Sequence, residues 1–239
     1  MGMSKGITLL VLGRSVEPAP DGAGGPGPKR MPATVRETGE RGFDGGMTSI
    51  DTNAALVIID VQQGFDESEW GSTTNLGCEA NIDALATAWI STGRPIVVVR
   101  HDSKAAGSSL HPGKPGNALK PSIAALPASL LVTKNVNSAF IGDPDLHQWL
   151  GRQGIHQLVI CGIQTNMCVE TTARMGGNLG YDVIVPLDAT RTFGLVELGP
   201  RNGAPLSATA NEVMRMTALN LAAGGFATVT STAELLPLV

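Results

Sequence analysis

Several residue types on which whole classes of protein depend are scarce in this chain. Lys and Arg make up 17 of the 239 residues and the net charge is −4, so an extended nucleic-acid-binding surface is not expected. The three cysteines are too few for a disulfide framework, which favours a reducing compartment and hence a cytoplasmic location. No apolar run approaches the ~20 residues that a membrane span requires, so no membrane partner is expected. Aromatic residues account for only 4% of the sequence.

Small aliphatic residues and glycine are abundant instead. The chain is 42% hydrophobic and contains 30 glycines. This apolar content is enough for a sizeable core and excludes a wholly disordered protein. Cores of Ala, Val, Leu and Ile with few aromatic rings are typical of domains built around a buried parallel sheet.

Residues 1–46 differ in composition from the rest of the chain. They include 11 Gly and 5 Pro, a level typical of segments without a packed core. Two interpretations stay open: a flexible leader, or a gene start placed upstream of a true start at Met47. With either interpretation, the sequence predicts one folded domain over 47–239.

From Ala54 onward, apolar runs alternate with amphipathic segments. The apolar runs predict buried strands over Ala54–Ile59, Pro95–Val99, Leu130–Thr133, Leu158–Cys161, Asp182–Val185 and Ala227–Thr230. The amphipathic segments predict helices over Ala80–Ile90, Pro144–Arg152 (with Asp143 as N-cap), Asn166–Asn178 and Thr209–Ala223. The Gly- and Pro-rich segment 101–127 is predicted to be a long loop. This alternation predicts an α/β fold of three layers, α/β/α, with a central six-stranded parallel sheet.

Three chemically different side chains follow strands of this predicted sheet. Asp60 comes directly after the first strand, Lys134 lies near the end of the third, and Cys168 lies in the first helical turn after the fourth. Because the carboxyl ends of parallel strands meet at one edge, we expect the three groups to converge there. The helix dipole and a neighbouring Lys are expected to lower the pKa of the thiol, and Asp60 can accept its proton. Base, cation and thiol are the parts of covalent acyl transfer.

Each of these residues alone has a simpler explanation. A Cys on a helix is more often a small core residue, an Asp after a strand is commonly a turn or cap residue, and a Lys there is usually solvated. Their joint appearance at one predicted edge favours catalysis. Cys161, inside a strand, and Cys78, at the start of a helix, are expected to be structural.

Extended motifs surround these three residues. They are Ala-Leu-Val-Ile-Ile-Asp-Val-Gln-x-Gly-Phe at 55–65, Ser-Ala-Phe at 138–140 after the third strand and Lys134, Val-Ile-Cys-Gly-Ile-Gln-Thr-Asn-Met-Cys-Val-Glu-Thr-Thr-Ala-Arg at 159–174, Gly-Tyr-Asp-Val at 180–183 and Asp-Ala at 188–189. These motifs resemble those of the isochorismatase-like hydrolase superfamily, in its cysteine hydrolase branch. The resemblance implies a catalytic triad of Asp60, Lys134 and Cys168. It also implies a cis peptide between Ile163 and Gln164, and an oxyanion hole formed by the backbone N–H groups of Gln164 and Cys168.

The resemblance also bears on the reaction. Members that hydrolyse isochorismate, a vinyl ether, lack the nucleophilic Cys, so Cys168 implies hydrolysis of an amide, ureido or carbamoyl C–N bond. Nicotinamidase-like members hold a metal through an Asp-x-His pair and a further His. The corresponding segment here has His101 before Asp102, with His111 further on, and adjacent residues of an extended segment point to opposite sides. We therefore expect no metal. We also expect no other cofactor, a small-molecule substrate and a homo-oligomer.

Three further residues are candidates for the walls of a substrate pocket, namely Phe65, His101 and Phe140. For His101, a hydrogen bond to substrate and a loop-anchoring role stay equally open, and the two Phe residues would be ordinary in a core. Two rival functions also stay open. One is a non-amide activity of isochorismatase type on the same fold, and the other is a non-catalytic small-molecule-binding domain.

Overall fold

Strands and helices alternate along the part of the chain that the computed structural model describes, residues 49–197 and 206–239. The predicted leader, residues 1–46, lies outside these described residues. The strands are β1 (Ala55–Ile59), β2 (Ile96–His101), β3 (Leu130–Lys134), β4 (Gln157–Ile163), β5 (Asp182–Pro186), β6 (Thr190–Arg191), β7 (Leu195–Val196), β8 (Ser207–Ala208) and β9 (Thr228–Thr230). The α-helices are α1 (Cys78–Ser91), α2 (Pro121–Ala124), α3 (Leu146–Gln153), α4 (Glu170–Asn178), α5 (Ala210–Ala223) and α6 (Thr232–Leu235). Among the described helices, none combines the length and the apolar character needed to cross a membrane.

Six of the strands form a parallel sheet in the order β3-β2-β1-β4-β5-β9. The short strand β6 pairs in parallel with the end of β4, at Gly162 and Ile163. Strands β7 and β8 form a separate antiparallel pair. The predicted α/β fold with a central parallel sheet is confirmed, and β6 is an addition that the sequence did not indicate.

Helices cover both faces of this sheet. Helices α3, α4 and α5 pack on one face, where Val57, Leu150 and Ala173 belong to one buried cluster. Helices α1, α2 and α6 pack on the other face, where Ile58 and Trp89 belong to a second cluster. Neighbouring residues of β1 thus face opposite layers, as the pleat of a strand requires. Burial on both faces explains why the strands are continuous apolar runs.

The order of the strands reverses next to β1. Strands β2 and β3 lie on one side of β1, whereas β4, β5 and β9 lie on the other. Ligands of open parallel sheets bind beyond the carboxyl ends of the strands at such a point. Ile59 of β1 pairs with Val99 of β2 and with Gly162 of β4, so the segments that follow these strands begin at the same level.

Gly162 permits the close approach of β4 to β1 at this point. Its φ is +119°, a value that residues with a Cβ rarely adopt. A Cβ atom at this position would lie 2.1 Å from the carbonyl oxygen of Ile59. The glycine is therefore required for the two central strands to end side by side.

Helix α3 begins later than the sequence predicts. Its first residue is Leu146, and the carboxylate of Asp145 accepts a hydrogen bond from the backbone N–H of Gln148. Asp145 is therefore the N-cap, and the prediction of Asp143 for that role is wrong. Two acidic residues flank Pro144, and the one that follows the proline makes the capping bond.

The predicted helix that starts at Asn166 begins with a different type of turn. Residues Thr165–Val169 form a π-helical turn, here called the π turn, and α4 continues from it. The predicted loop 101–127 contains α2 and a short 3-10 helix, Pro115–Asn117. Segments of three to five residues are too short to show a periodic hydrophobic pattern.

Candidate active site

Asp60 follows β1 at the carboxyl edge of the sheet and is completely buried. Its backbone N–H donates a hydrogen bond to the carbonyl oxygen of Val99 at 2.9 Å, and its φ is +51°. This left-handed conformation is uncommon outside glycine, although Asp adopts it more readily than most residues. The chain therefore turns at Asp60 itself, and the carboxylate stays at the edge of the sheet.

The ammonium group of Lys134 is the main partner of this carboxylate. Lys134 Nζ lies 2.5 Å from Asp60 Oδ2, and both side chains are fully buried. Burial raises the pKa of Asp60, while the charge and the hydrogen bond of Lys134 oppose that rise. The other carboxylate oxygen, Oδ1, is buried and has no hydrogen-bond partner among the described residues. One oxygen is thus held by the cation and the other is open to a proton.

The thiol of Cys168 lies beside Asp60. A carboxylate oxygen of Asp60, a ring nitrogen of His101 and Cys168 Sγ all lie within 4.8 Å of one another. Cys168 is 7% exposed, whereas Cys78 and Cys161 are completely buried in the core. The three groups that the sequence analysis singled out therefore converge at one point, from the ends of β1 and β3 and from the π turn after β4.

The expectation of a low thiol pKa is wrong. Burial raises the pKa of Cys168 to about 12, the charge of Asp60 adds to the rise, and Lys134 offsets only part of it. The sequence showed the neighbouring cation and the helix start, but it did not show that the sulfur is removed from water beside a carboxylate. The resting thiol is therefore protonated, and a thiolate forms only when a base accepts the proton.

The π turn sets the direction of the peptide groups next to Cys168. The backbone N–H groups of Met167 and Val169 both donate to the carbonyl oxygen of Gln164, each at 3.1 Å. The peptide bond between Ile163 and Gln164, directly before the turn, is cis. The resemblance implies that the backbone N–H groups of Gln164 and Cys168 form an oxyanion hole. Gln164 lies directly before this turn, and Cys168 lies within it.

His101 lies next to Lys134 on the neighbouring strand. The two residues pair in the register of β2 and β3, and Lys134 Nζ lies 3.2 Å from His101 Nδ1. Burial, followed by the charge of Lys134, lowers the pKa of His101 to about 4. The imidazole is therefore neutral near pH 7, and its Nδ1 can accept a hydrogen bond from the ammonium group. Lys134 thus has two acceptors, Asp60 and His101.

Asp60, His101 and Cys168 offer ligand atoms that are close enough together to hold a metal ion. Two of the three are already partners of Lys134, whose Nζ lies 2.5 Å from Asp60 Oδ2 and 3.2 Å from His101 Nδ1. A divalent cation at this point would lie next to the ammonium charge, and the two would repel each other. The donor set fits a metal poorly, and reaction without a metal stays a prediction.

Two buried amide side chains hold the loop that borders the site. Gln62 donates to the carbonyl oxygens of His101 and Asn117 and accepts from the backbone N–H of His101. Asn117 donates to the carbonyl oxygens of His101 and Leu110 and to the carboxylate of Asp102. The sequence analysis missed both residues, although Gln62 stands in the motif that follows β1. Their amide groups join that segment, the end of β2 and the loop into one hydrogen-bonded unit.

The two candidate pocket phenylalanines have different surroundings. Phe65 packs against Trp70, with ring centroids 5.0 Å apart, and shares a small cluster with Ile163, which precedes the π turn. Phe140 stacks on Tyr181, with centroids 5.6 Å apart, in the core between the sheet and its helices. The structure therefore places Phe65 at the edge that carries the site, and it places Phe140 in the core.

Asn137 is a polar residue of the site that the sequence analysis missed. Its Oδ1 lies 3.9 Å from Cys168 Sγ, and the residue is exposed. It stands between Lys134 and the Ser-Ala-Phe motif, in a segment that follows a strand at the predicted edge. That position was the available signal, since segments after parallel strands form such sites.

Known proteins resemble this chain in sequence and in fold. The family model described as the isochorismatase domain matches residues 54–234. The uncharacterised isochorismatase family protein YrdC of Bacillus subtilis is 38% identical over 146 residues, which are 61% of this chain and 78% of YrdC. A crystal structure of an isochorismatase family protein from Chromobacterium violaceum is 33% identical, with a TM-score of 0.72, and the match covers 80% of this chain and 96% of that one.

Two further relatives have names that describe a reaction. A streptothricin hydrolase of Streptomyces noursei is 30% identical over 149 residues, which are 59% of this chain and 50% of that protein. The ureidoacrylate amidohydrolase RutB of Stutzerimonas stutzeri is 38% identical over 96 residues, which are 40% of this chain and 38% of that protein. The matches to these two proteins thus span half of their length or less.

Proposed function

The chain belongs to the isochorismatase family, a family of hydrolases, and we propose that it cleaves an amide, ureido or carbamoyl C–N bond of a small molecule through a thioester on Cys168. The names of two relatives, a hydrolase and an amidohydrolase, support this class of reaction. The presence of a thiol beside a carboxylate supports covalent catalysis over direct attack by water.

The observation that carries the proposal is the unpartnered oxygen of Asp60. A buried carboxylate oxygen without a hydrogen bond is costly, and such groups are found where function requires them. The thiol of Cys168 lies within 4.8 Å of a carboxylate oxygen of Asp60, and its pKa is too high for it to ionise unaided. Asp60 is therefore the base that the thiol needs.

In the first half of the reaction, the S–H proton passes to Asp60 while the sulfur attacks the carbonyl carbon. The S–C bond forms, and the carbonyl electron pair moves to the oxygen. Backbone N–H groups of Gln164 and Cys168 are the donors proposed for this oxyanion. The C–N bond then breaks, and the proton on Asp60 moves to the leaving nitrogen, so that ammonia or an amine departs.

In the second half, a water molecule cleaves the thioester. Asp60 accepts a proton from the water, whose oxygen attacks the acyl carbon. The S–C bond breaks, the proton returns to the sulfur, and the acid product leaves. Atoms and protons balance, since one water is consumed and one acid and one amine are released.

Lys134 is proposed to keep Asp60 in place and to stabilise negative charge as it moves between sulfur and carboxylate. Its ammonium group keeps His101 Nδ1 as a partner at 3.2 Å when Asp60 carries a proton. His101 remains neutral in this role because its pKa is lowered to about 4. The cation therefore does not have to leave its position during the cycle.

A screen for released ammonia tests the proposed function. The probes are butyramide, benzamide and N-carbamoylglycine, which represent aliphatic amides, aromatic amides and ureido compounds. We expect ammonia from at least one of them, and loss of the activity in Cys168→Ala. Cys161→Ala is the matched control, because Cys161 is buried in the opposite layer of the core and should leave turnover intact.

Two results would contradict the proposal. Ammonia release that survives in Cys168→Ala would show that water attacks the probe directly, without a thioester on Cys168. Binding of a probe in a thermal-shift assay without any turnover would favour a non-catalytic binding domain. A cytoplasmic location and a homo-oligomer remain predictions, and light scattering of the purified protein tests the second.

A further inference from the structure

We infer that Asn137 determines specificity by accepting a hydrogen bond from an N–H group of the scissile nitrogen. The inference rests on the proposed function and narrows its substrate class. It predicts that the enzyme prefers primary amides and ureido compounds, and that it discriminates against esters and N,N-dialkyl amides of the same acids.

Asn137 differs from Gln62 and Asn117, the two amide side chains that hold the loop beside the site, in having no such structural task. The amides of Gln62 and Asn117 are each held by three hydrogen bonds to the surrounding loop. Asn137 is exposed, and within the described ranges its only side-chain hydrogen bond is the one between Oδ1 and the sulfur of Cys168, at 3.9 Å. Its carboxamide is therefore available to a substrate at the position where the sulfur reacts.

The second observation is the unpartnered Oδ1 of the fully buried Asp60, a residue with a carboxylate oxygen within 4.8 Å of the same sulfur. After attack, the leaving nitrogen is bonded to the carbon that the sulfur holds, so it is within reach of both residues that lie beside that sulfur. Protonation by Asp60 requires the nitrogen lone pair to point at the carboxyl group. An N–H group that points at Asn137 Oδ1 fixes the nitrogen in that orientation.

An ester cannot make this contact. Its alkoxy oxygen carries lone pairs and no hydrogen, so it would place one acceptor against another at Asn137. Sites built to bond a substrate N–H or O–H group discriminate strongly against analogues that lack it, because a polar group of the site is left unpaired. The alternative, in which Asn137 stabilises the oxyanion, would require a hydrogen-bond donor at this point. The atom of Asn137 that faces the sulfur is Oδ1, which can only accept a hydrogen bond.

The test compares each amide probe with a matched ester. The pairs are butyramide with methyl butyrate, benzamide with methyl benzoate, and N-carbamoylglycine with N-(methoxycarbonyl)glycine. The readout is the ratio of kcat/KM for the amide to kcat/KM for the ester, which a partly unfolded preparation would not change. We expect Asn137→Ala to lower this ratio by about tenfold or more, the equivalent of one lost hydrogen bond.

Two variants sharpen the comparison. Asn137→Asp keeps an acceptor oxygen, so it should retain the preference for the amide even though its added charge slows both reactions. Asn135→Ala is the matched control, because Asn135 is exposed in the same segment and, among the described residues, no hydrogen bond joins its side chain to Cys168. Asn135 lines a surface pocket together with Lys134 and Asp143, so the control also reports whether any change in this segment alters the ratio. It should leave the ratio unchanged.

The outcomes separate this inference from the proposed function. Ammonia release by the wild-type protein with an unchanged ratio in Asn137→Ala would overturn the role of Asn137 alone. An equal fall of the ratio in Asn135→Ala would also overturn it. No ammonia from any wild-type reaction would overturn the proposed function and, with it, this inference.

Discussion

Lys134 and Asp60 form a fully buried ion pair, with Nζ 2.5 Å from Oδ2, and the second carboxylate oxygen has no partner among the described residues. The pair joins the ends of β3 and β1, two strands that are separated by β2 in the sheet. A side chain held at one oxygen and open at the other is suited to accept a proton without moving.

The first prediction concerns the stability of the ion pair. Lys134→Met leaves the carboxylate of Asp60 buried without its cation, which should cost about 3–5 kcal/mol of unfolding free energy. Urea unfolding at pH 7 measures this loss. The double variant Lys134→Met, Asp60→Asn should recover part of it, because it removes the buried charge.

A half-exposed ion pair serves as the control. Arg100→Gln breaks the ion pair with Asp102. The side chain of Arg100 is 32% exposed and that of Asp102 is 24% exposed. That change should cost only about 0–1 kcal/mol. A loss in Lys134→Met no larger than in Arg100→Gln would contradict the account of the buried pair.

The second prediction concerns the close approach of β4 to β1. Gly162→Ala places a Cβ atom 2.1 Å from the carbonyl oxygen of Ile59, at a φ of +119°. The two strands must separate, so we expect a large drop in melting temperature and loss of activity. In contrast, Gly151→Ala in α3 meets no atom within 4 Å and should be neutral or stabilising by up to ~1 kcal/mol. Similar melting temperatures for the two variants would count against the geometry.

The third prediction concerns the protonation of the thiol. Because the pKa of Cys168 is raised to about 12, the thiolate fraction should grow about tenfold for each pH unit up to pH 9 and beyond. Alkylation by iodoacetamide, followed by peptide mass spectrometry, should show a rate that climbs over this range. Cys168 should still react faster than Cys78 and Cys161, which are completely buried. A rate that levels off below pH 8 would show a preformed thiolate and refute this part of the mechanism.

The fourth prediction concerns metal ions. The ammonium group of Lys134 already occupies the space between Asp60 and His101, with Nζ 2.5 and 3.2 Å from their side chains. We therefore expect activity to survive exhaustive chelation. Loss of activity to a chelator, with recovery on addition of Zn²⁺, Fe²⁺ or Mn²⁺, would restore the metal-dependent alternative.

The main strands could be predicted because burial on both faces leaves a direct mark on the sequence. Ala55–Ile59 is wholly apolar and lies in the centre of the sheet, as that pattern predicts. The two-residue strands β6, β7 and β8 could not be found, since two residues show no period. The start of α3 was missed because Asp143 and Asp145 are equally good caps by residue type, and only the structure shows which one makes the bond.

The features of the site also divide into those that the sequence could predict and those that it could not. Asp60, Lys134 and Cys168 could be placed at one edge because each follows a strand. The pKa of Cys168 could not be predicted, because it depends on how deeply the sulfur is buried and on its distance from Asp60. Asn137 was overlooked because its amide acquires a role only through its contact with Cys168, a residue 31 positions away.

The most direct test of the account is to trap the acyl group on the enzyme. The protein is mixed with the amide probe that it turns over best, quenched with acid within one turnover, and analysed by intact and peptide mass spectrometry. We predict a mass increase equal to the acyl group, located on the peptide that contains Cys168, together with one equivalent of released ammonia. Two results would contradict catalysis through a thioester on Cys168. One is ammonia release by Cys168→Ala at the wild-type rate, and the other is an acyl adduct on a different residue of the wild-type protein.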